Sequence, residues 1–169
     1  MPIPKPNKLV IEDAQIRFKN FSGAAGLYNA EGDRNFCLFI DDQLADALRR
    51  DFWNVKTLKP KEEGDPPQAY IEVKVNYANK PPRVFLVTSR GKKLLTESQV
   101  GMVDWAEIVT VDLTVNPSVW NVNGKEGVKA YLQSMFVTIV EDPTEMKYYD
   151  VPDSAANILQ PVDESSYDD

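Results

Sequence analysis

The stretch YIEVKVNYANKPPRVFLVTSRGKK, residues 70–93, decides how the fold of this chain is interpreted. Apolar residues alternate with polar or aromatic ones over residues 71–75, a period of two that predicts a β-strand with one buried face. Residues 79–82 end that strand, because proline lacks the N–H that a sheet requires and fixes its own backbone. The chain then returns as an apolar run over residues 83–88. The stretch therefore predicts a β-hairpin with cations at both ends.

Similar patterns continue on both sides of this hairpin. Further strands are predicted at residues 8–21, 34–40, 53–61, 106–120 and 128–140. The long first strand has a predicted bend near Asp13, which would let it pair on both sides. Six or seven strands without a βαβ repeat predict a mainly β protein, and we expect a single antiparallel barrel like the OB fold.

Two short helices are predicted between the strands. Asp41 or Asp42 is expected to cap a helix that follows the second strand and ends near Asp51. The spacing of Thr96 and Gln99 matches a capping box, which predicts a helix of one or two turns ending near residue 103.

Composition excludes several classes of function. The chain has 169 residues, enough for one domain with a sizeable core. It contains no histidine and a single cysteine, Cys37, which excludes histidine-based catalysis, histidine-containing zinc sites and an internal disulfide. Cys37 lies in an apolar run and is interpreted as a buried small hydrophobic residue. We expect no enzyme, no catalytic residue, no metal and no cofactor, and a metal-dependent nuclease is an alternative without a supporting carboxylate cluster.

The location is also constrained by composition. No run approaches the roughly twenty apolar residues that span a bilayer, and the first residues lack the apolar segment of a signal peptide. We therefore expect a cytoplasmic protein with no membrane partner.

Charge is distributed unevenly along the chain. The net charge is −7, but residues 141–169 carry nine acids against one base, Lys147. The first 140 residues carry 18 bases and 17 acids, so a nearly neutral body can present a basic face. The acidic end, residues 163–169, is predicted to be disordered.

Basic and aromatic residues recur together in four groups near predicted strand ends and loops. Single-stranded nucleic acid is bound by cations that follow its phosphates and by rings on which bases stack, at about 1–3 kcal/mol per base. The predicted nucleic-acid-binding residues are Arg17, Lys19, Phe21, Tyr28, Arg34, Trp53, Lys56, Lys59, Lys74, Tyr77, Lys80, Arg83, Arg90, Lys92, Lys93, Trp120, Lys125, Lys129 and Tyr131. Each ring has a core position as its alternative, and each lysine has a solvated surface role as its alternative.

Other residues receive different roles. The phenylalanines assigned to the core are Phe18, Phe36, Phe39, Phe85 and Phe136. An anionic tail beside a cationic groove can compete with nucleic acid or dock partner proteins. The residues predicted to form this partner-binding tail are Asp163, Glu164, Tyr167, Asp168 and Asp169. The division predicted is an N-terminal arm (residues 1–7), an OB-like nucleic-acid-binding domain (residues 8–141) and an acidic tail (residues 142–169).

Several segments, taken in order, resemble a known family. They are IRFKNFSG (16–23), YNAEGDRNFCLFID (28–41), WNVKTLKP (53–60), PPRVFLVTSRGKKLL (81–95) and VKAYLQSMFVTI (128–139). Together they are similar to small single-stranded DNA-binding proteins encoded by tailed bacteriophages, particularly those of actinobacteria. The resemblance implies an OB-type fold, sequence-tolerant binding of single-stranded DNA, and a role in phage replication or recombination. It also implies an acidic tail like that of cellular single-stranded DNA-binding proteins, although this chain lacks their Pro-Phe tip.

One alternative keeps the fold class and changes the function. A non-enzymatic β-sandwich that binds protein, such as a phage structural component or an inhibitor of a host factor, would use exposed aromatic rings differently. The sequence leaves open whether the chain forms a homo-oligomer and which replication or recombination proteins the tail would bind.

Overall fold

The strands and helices follow the chain as a mainly β domain. The computed structural model describes residues 3–26, 30–60, 62–78 and 80–141. Its strands are β1 (Leu9–Ile11), β2 (Gln15–Asn20), β3 (Arg34–Ile40), β4 (Val55–Leu58), β5 (Gln68–Val75), β6 (Arg83–Thr88), β7 (Gly91–Leu95), β8 (Ile108–Val122) and β9 (Lys125–Ile139). One α-helix, α1 (Asp42–Arg50), follows β3, and a 3-10 helix spans Val100–Asp104. Within these ranges no helix is long and apolar enough to cross a membrane.

The longest strands form one hairpin. β8 and β9 have 15 residues each and pair antiparallel along their length. Their two-residue turn places Asn123 and Gly124 at φ values of 51° and 80°. Asn-Gly tolerates this left-handed backbone, which matches the twist of the flanking strands. The predicted return of the chain at this point is confirmed.

The remaining strands add to the β8–β9 hairpin on both sides. The sheet order is β1-β8-β9-β5-β3-β2, with β4 on β5 and the β6–β7 hairpin on the second half of β9. β5 and β6 both run parallel to β9. Ser134 of β9 lies opposite the start of β6, shortly after Tyr131 lies opposite Lys74 of β5. β5 and β6 therefore follow one another along the same edge of β9.

This pairing corrects two predictions. Residues 70–93 do not form one hairpin, because β5 pairs with β3, β4 and β9, whereas β6 pairs with β7 and β9. The sheet is mixed rather than antiparallel, and its strand path is open at β1 and β2 rather than closed into a barrel. Alternation of apolar residues fixes which face of a strand is buried, but it does not determine which strand lies beside it.

The first strand bends as predicted. β1 pairs with β8 and β2 pairs with β3, so one short segment of chain reaches both ends of the sheet. Asp13 at the bend has φ 52°, and the Ala14 amide donates to the Val111 carbonyl over 2.7 Å. Because three residues connect the two terminal strands, the open sheet must curve strongly around its core.

The core lies inside this curve and is largely aliphatic. β5 alternates between partly exposed and buried residues throughout, which confirms the predicted period of two. Phe36 and Phe85 are buried as predicted, but Phe18 is 67% exposed, and Phe39, Phe136 and Cys37 are only partly buried. The core assignments of Phe18, Phe39 and Phe136 are therefore wrong, as is the full burial of Cys37.

Caps and turns fix the connections between strands. Asp41 caps α1, with its carboxylate accepting from the Leu44 amide over 2.7 Å, as predicted. The Thr96 amide donates to Gln99 Oε1 over 3.0 Å, which is one half of the predicted capping box, and a 3-10 helix follows. Asp104, which ends this 3-10 helix, accepts from the backbone amides of Phe21 and Ser22, and so ties the helix to the end of β2.

Candidate nucleic-acid interface

The outer face of β3 and β5 carries a mixed set of rings and charges. Its residues alternate with the core residues of the same strands, so they point away from the interior. Cross-strand pairing places Phe39 opposite Tyr70 and Asn35 opposite Lys74. We call this surface the β3–β5 face, and its residues are Arg17, Asn35, Cys37, Phe39, Lys56, Tyr70, Glu72, Lys74 and Tyr131.

Two rings lie side by side on this face. The ring centroids of Phe39 and Tyr70 are 6.4 Å apart, with the planes tilted by 49°. The Arg17 guanidinium lies 5.5 Å from the Phe39 centroid, and Lys56 is the partner of Tyr70 on β4. Both rings are partly exposed. Cations next to accessible rings are the elements that a single nucleic-acid strand requires.

Phe39 and Tyr70 were not among the predicted nucleic-acid-binding residues. A signal for Phe39 was present, because Phe36, Leu38 and Ile40 share one parity of β3 and Phe39 belongs to the other. Tyr70 likewise alternates with the buried residues of β5. Strict use of the period of two would have placed both rings on the outer face.

One acid lies among these cations. Lys56 Nζ is 3.6 Å from Glu72 Oε1, and both side chains are partly exposed, so the pair contributes little to stability. Cys37 lies opposite Glu72 across the strand pair. Burial raises the pKa of the Cys37 thiol, the charge of Glu72 raises it further, and that of Lys56 opposes the shift. The thiol therefore behaves as a neutral, inert group on this face.

A cleft opens at the end of β5. We call it the central cleft, and the residues that define it are Arg34, Asn35, Lys74, Asn76, Tyr77, Glu97, Lys129 and Tyr131. Lys74 and Lys129 also line a smaller cleft that includes Trp53 and Asn54. The central cleft is therefore continuous with the surface beside Trp53 through two shared lysines.

Arg34 and Tyr77 form a packed wall of the central cleft. The Arg34 guanidinium lies 5.4 Å from the Tyr77 centroid, donates to the Phe21 carbonyl over 2.9 Å, and forms a 3.0 Å ion pair with Glu97. These contacts use much of the donor capacity of Arg34 inside the protein. Burial raises the pKa of Tyr77 to about 12, an effect that Arg34 opposes and Glu97 adds to.

Two predicted rings belong to the core. Phe21 is fully buried and stacks on Phe36, with centroids 5.4 Å apart. Trp53 is 4% exposed and bridges to Val128 of β9. A base has no access to the face of a ring in these positions, so the stacking roles predicted for Phe21 and Trp53 are corrected to core packing.

The predicted cations of the β6–β7 hairpin lie on another part of the sheet. Lys92 Nζ is 4.8 Å from the Phe85 centroid and 5.7 Å from that of Phe136. Arg83 is 5.1 Å from Phe85, and the two phenylalanine rings stack at 4.8 Å. These cations cover an aromatic pair of their own hairpin and of β9.

The other predicted residues are dispersed or lie outside the described ranges. Trp120 is partly exposed, and its indole lies against Gly127, where an added Cβ would come within 2.8 Å of the ring. The remaining exposed or partly exposed cations are Lys19, Lys59, Lys80, Arg90, Lys93 and Lys125. Tyr28 and the tail residues Asp163, Glu164, Tyr167, Asp168 and Asp169 lie outside the described residues. In the described part of the chain, no group of three acidic or cysteine side chains could hold a metal ion.

The fold and this face together define a class of protein. A strongly curved sheet with cations and accessible rings on one outer face and in an adjoining cleft is typical of modules that bind single nucleic-acid strands. The chain belongs to the family described as "Putative phage ssDNA-binding domain", whose model matches residues 3–169. The comparison with curated protein sequences finds no match.

Solved structures with a similar fold come from one bacteriophage. The single-stranded DNA-binding protein of bacteriophage Enc34 in complex with ssDNA is 10% identical, with a TM-score of 0.51 over 80% of this chain and 88% of that chain. A C-terminal truncation of that protein gives 9% identity and a TM-score of 0.50, covering 80% and 88% of the two chains. A third structure of the Enc34 protein gives 9% and 0.51, covering 80% and 83%. At this identity the likeness establishes the shared fold.

Tyr77→Phe tests the electrostatics of the central cleft. The Tyr77 hydroxyl is buried and has no hydrogen-bond partner among the described residues, so its removal should leave the free energy of unfolding unchanged or slightly higher at pH 7. In the folded protein the pKa is raised to about 12, whereas the unfolded phenol titrates near 10. Stability from this shift is present below pH 10 and is lost as pH rises through 12.

Urea titrations between about pH 9 and pH 12 provide the measurement. The wild-type protein should lose more stability over this range than Tyr77→Phe does. Tyr70→Phe is the matched control and should keep the wild-type pH dependence, because Tyr77 is still present. Identical pH profiles for wild type and Tyr77→Phe would contradict the burial of this phenol.

Proposed function

We propose that this chain binds single-stranded DNA, largely without regard to sequence, across the β3–β5 face and into the central cleft. The observation that supports the proposal is the convergence of Arg17, Lys56 and Lys74 with accessible rings on one outer surface. Family membership points to the same ligand. The lysines and Arg17 would neutralise phosphates, and Phe39, Tyr70 and Tyr131 would offer surfaces for base stacking.

The chemistry of these groups favours unpaired bases. Every base has a π-face that a ring can contact, but a duplex hides those faces inside its stack. Phosphate neutralisation by a few cations releases counterions, so affinity for a single strand should fall as salt increases. Because few groups on this face are placed to distinguish base edges, binding should tolerate many sequences.

We also propose that the fold is of the OB type. The first strand, bent between β1 and β2, is followed around the sheet by β3, β5, β9 and β8, and β8 pairs back with β1. The OB fold is a partly open five-stranded barrel that binds oligonucleotides on its second and third strands. In this chain those strands would correspond to β3 and β5, which carry the proposed site.

The biological role follows from the family and is part of the proposal. We propose that the protein acts in the cytoplasm of the phage-infected host, where it would protect single strands during replication or recombination. Binding of this kind needs no catalytic step. Labelled DNA incubated with the protein and magnesium or manganese should therefore be recovered intact, and cleavage would contradict a purely binding role.

Tyr131→Ala tests the proposed site. Tyr131 lies opposite Lys74 at the border of the β3–β5 face and the central cleft, so its ring is positioned between cations. Loss of one stacking ring should cost about 1–3 kcal/mol and raise the Kd for an oligothymidine by roughly 5-fold to 150-fold. Fluorescence anisotropy at low salt measures the change.

The matched control for this variant is Trp105→Ala. Trp105 is 83% exposed and lies outside the β3–β5 face, between the 3-10 helix and β8. Its removal should leave the Kd near the wild-type value. Equal losses of affinity in both variants, or none in Tyr131→Ala, would place the DNA elsewhere or favour the protein-binding alternative.

The acidic C-terminal segment is proposed to compete with DNA. Deletion of residues 152–169 should tighten binding at low salt, because a tethered anionic chain occupies a cationic surface at high effective concentration. The difference should shrink at high salt, where the charges are screened. A full-length variant with Asp153, Asp163, Glu164, Asp168 and Asp169 changed to their amides separates charge from length. Equal affinities for wild type, deletion and amide variant would remove this role.

A further inference from the structure

A second cleft lies beside the central cleft, and the N-terminal arm forms one of its walls. This cleft, the arm cleft, has a volume of about 820 Å³ and is lined by Ile3, Lys5, Lys8, Asn76, Lys80, Pro81, Asn116, Pro117, Ser118, Val119, Tyr131, Leu132 and Gln133. The arm supplies one wall, β8 and β9 supply the floor, and the segment between β5 and β6 supplies the opposite wall.

The arm cleft carries charge of one sign. Three lysines, Lys5, Lys8 and Lys80, line it together with amide and hydroxyl side chains, and none of its thirteen lining residues is acidic. The central cleft, in contrast, includes Asp33 and Glu97. Within the described ranges, none of the three lysines forms an ion pair. On a chain with a net charge of −7, such a pocket is selective for anions.

The arm cleft is continuous with the proposed DNA site. Tyr131 and Asn76 line both the central cleft and the arm cleft. Tyr131 also lies opposite Lys74 of the β3–β5 face. A strand that leaves this face past the Tyr131 ring would therefore enter the arm cleft without crossing an acidic surface.

The arm is held in place at both ends of its lysine pair. Ile3 is partly buried against the hydrophobic core, and Leu9 pairs with Val115 of β8. Lys5 and Lys8 lie between these two anchors, so their backbone is fixed along the wall before a ligand arrives. Preorganised cations lose less entropy on binding than cations on an unanchored arm.

The floor offers a group suited to a base. The Asn116 Oδ1 atom is buried and has no hydrogen-bond partner among the described residues. Such an acceptor is costly to leave unsatisfied, and an exocyclic amino group of a base is a suitable donor. Phosphates at the lysines and a base at the floor are both features of one nucleotide chain.

We propose that the arm cleft is a second subsite for the same DNA strand, where Lys5 and Lys8 neutralise phosphates of nucleotides beyond those held on the β3–β5 face. This inference rests on the proposed function, because it extends the path of the strand already placed there. It predicts that the site is longer than the β3–β5 face alone and that the arm takes part in binding rather than only in folding.

The test compares Lys5→Gln/Lys8→Gln with wild type, using a short oligothymidine of about 5 nucleotides and a long one of about 16. Wild type should bind the long oligonucleotide more tightly. The double variant should keep the wild-type Kd for the short one and lose on the order of tenfold for the long one at low salt. Its plot of log K against log salt for the long oligonucleotide should be shallower by about 1.

The protein control is Arg49→Gln, which removes an exposed cation of α1 that is paired with Asp46 and does not line the arm cleft. It should bind both lengths like wild type. Wild-type affinity and salt slope of Lys5→Gln/Lys8→Gln for the long oligonucleotide would overturn the second subsite. Equal losses for both lengths would also overturn it, because the effect would then be general. Failure of wild type to bind either length would instead overturn the proposed function itself.

Discussion

The parallel pairing of β5 and β6 with β9 is the constraint on which the rest of this structure depends. β9 is long enough to pair with β8 along one edge and with two successive strands along the other. Because β5 ends where β6 begins, the segment between them stands away from the sheet and separates the central cleft from the arm cleft. A single antiparallel hairpin in this region would leave neither cleft in place.

The alternation of side chains in β3 and β5 converts this framework into a binding surface. One parity of each strand is buried in the core, and the other carries Phe39, Tyr70 and Lys74 outward. The curvature enforced by the bend at Asp13 keeps the two faces distinct, because the inner face is closed over by β1 and β2. Core stability and ligand contact are thus assigned to alternate residues of the same strands, and a shift of register by one residue would exchange them.

The sequence predicted local features well and distant ones poorly. The period of two in β5, the cap at Asp41, the bend near Asp13 and the Asn-Gly turn of the last hairpin each depend on neighbouring residues, and each is confirmed. The parallel pairing of β5 with β9 joins Lys74 to Tyr131, far apart in the chain, and no local pattern specifies it. Among the rings, Phe39 could have been placed by parity, whereas Trp53 lies in an isolated bridge where alternation is not informative.

The central claim is that a single DNA strand lies on the β3–β5 face and passes Tyr131. Backbone amide chemical shifts recorded while an oligothymidine is added to the protein test it most directly. The account predicts that the largest shift changes occur at Asn35, Phe39, Tyr70, Lys74 and Tyr131, with little change at Trp105 or in the β6–β7 hairpin. Changes concentrated at Trp105, Lys92 and Lys93, with the amides of β3 and β5 unaffected, would contradict it.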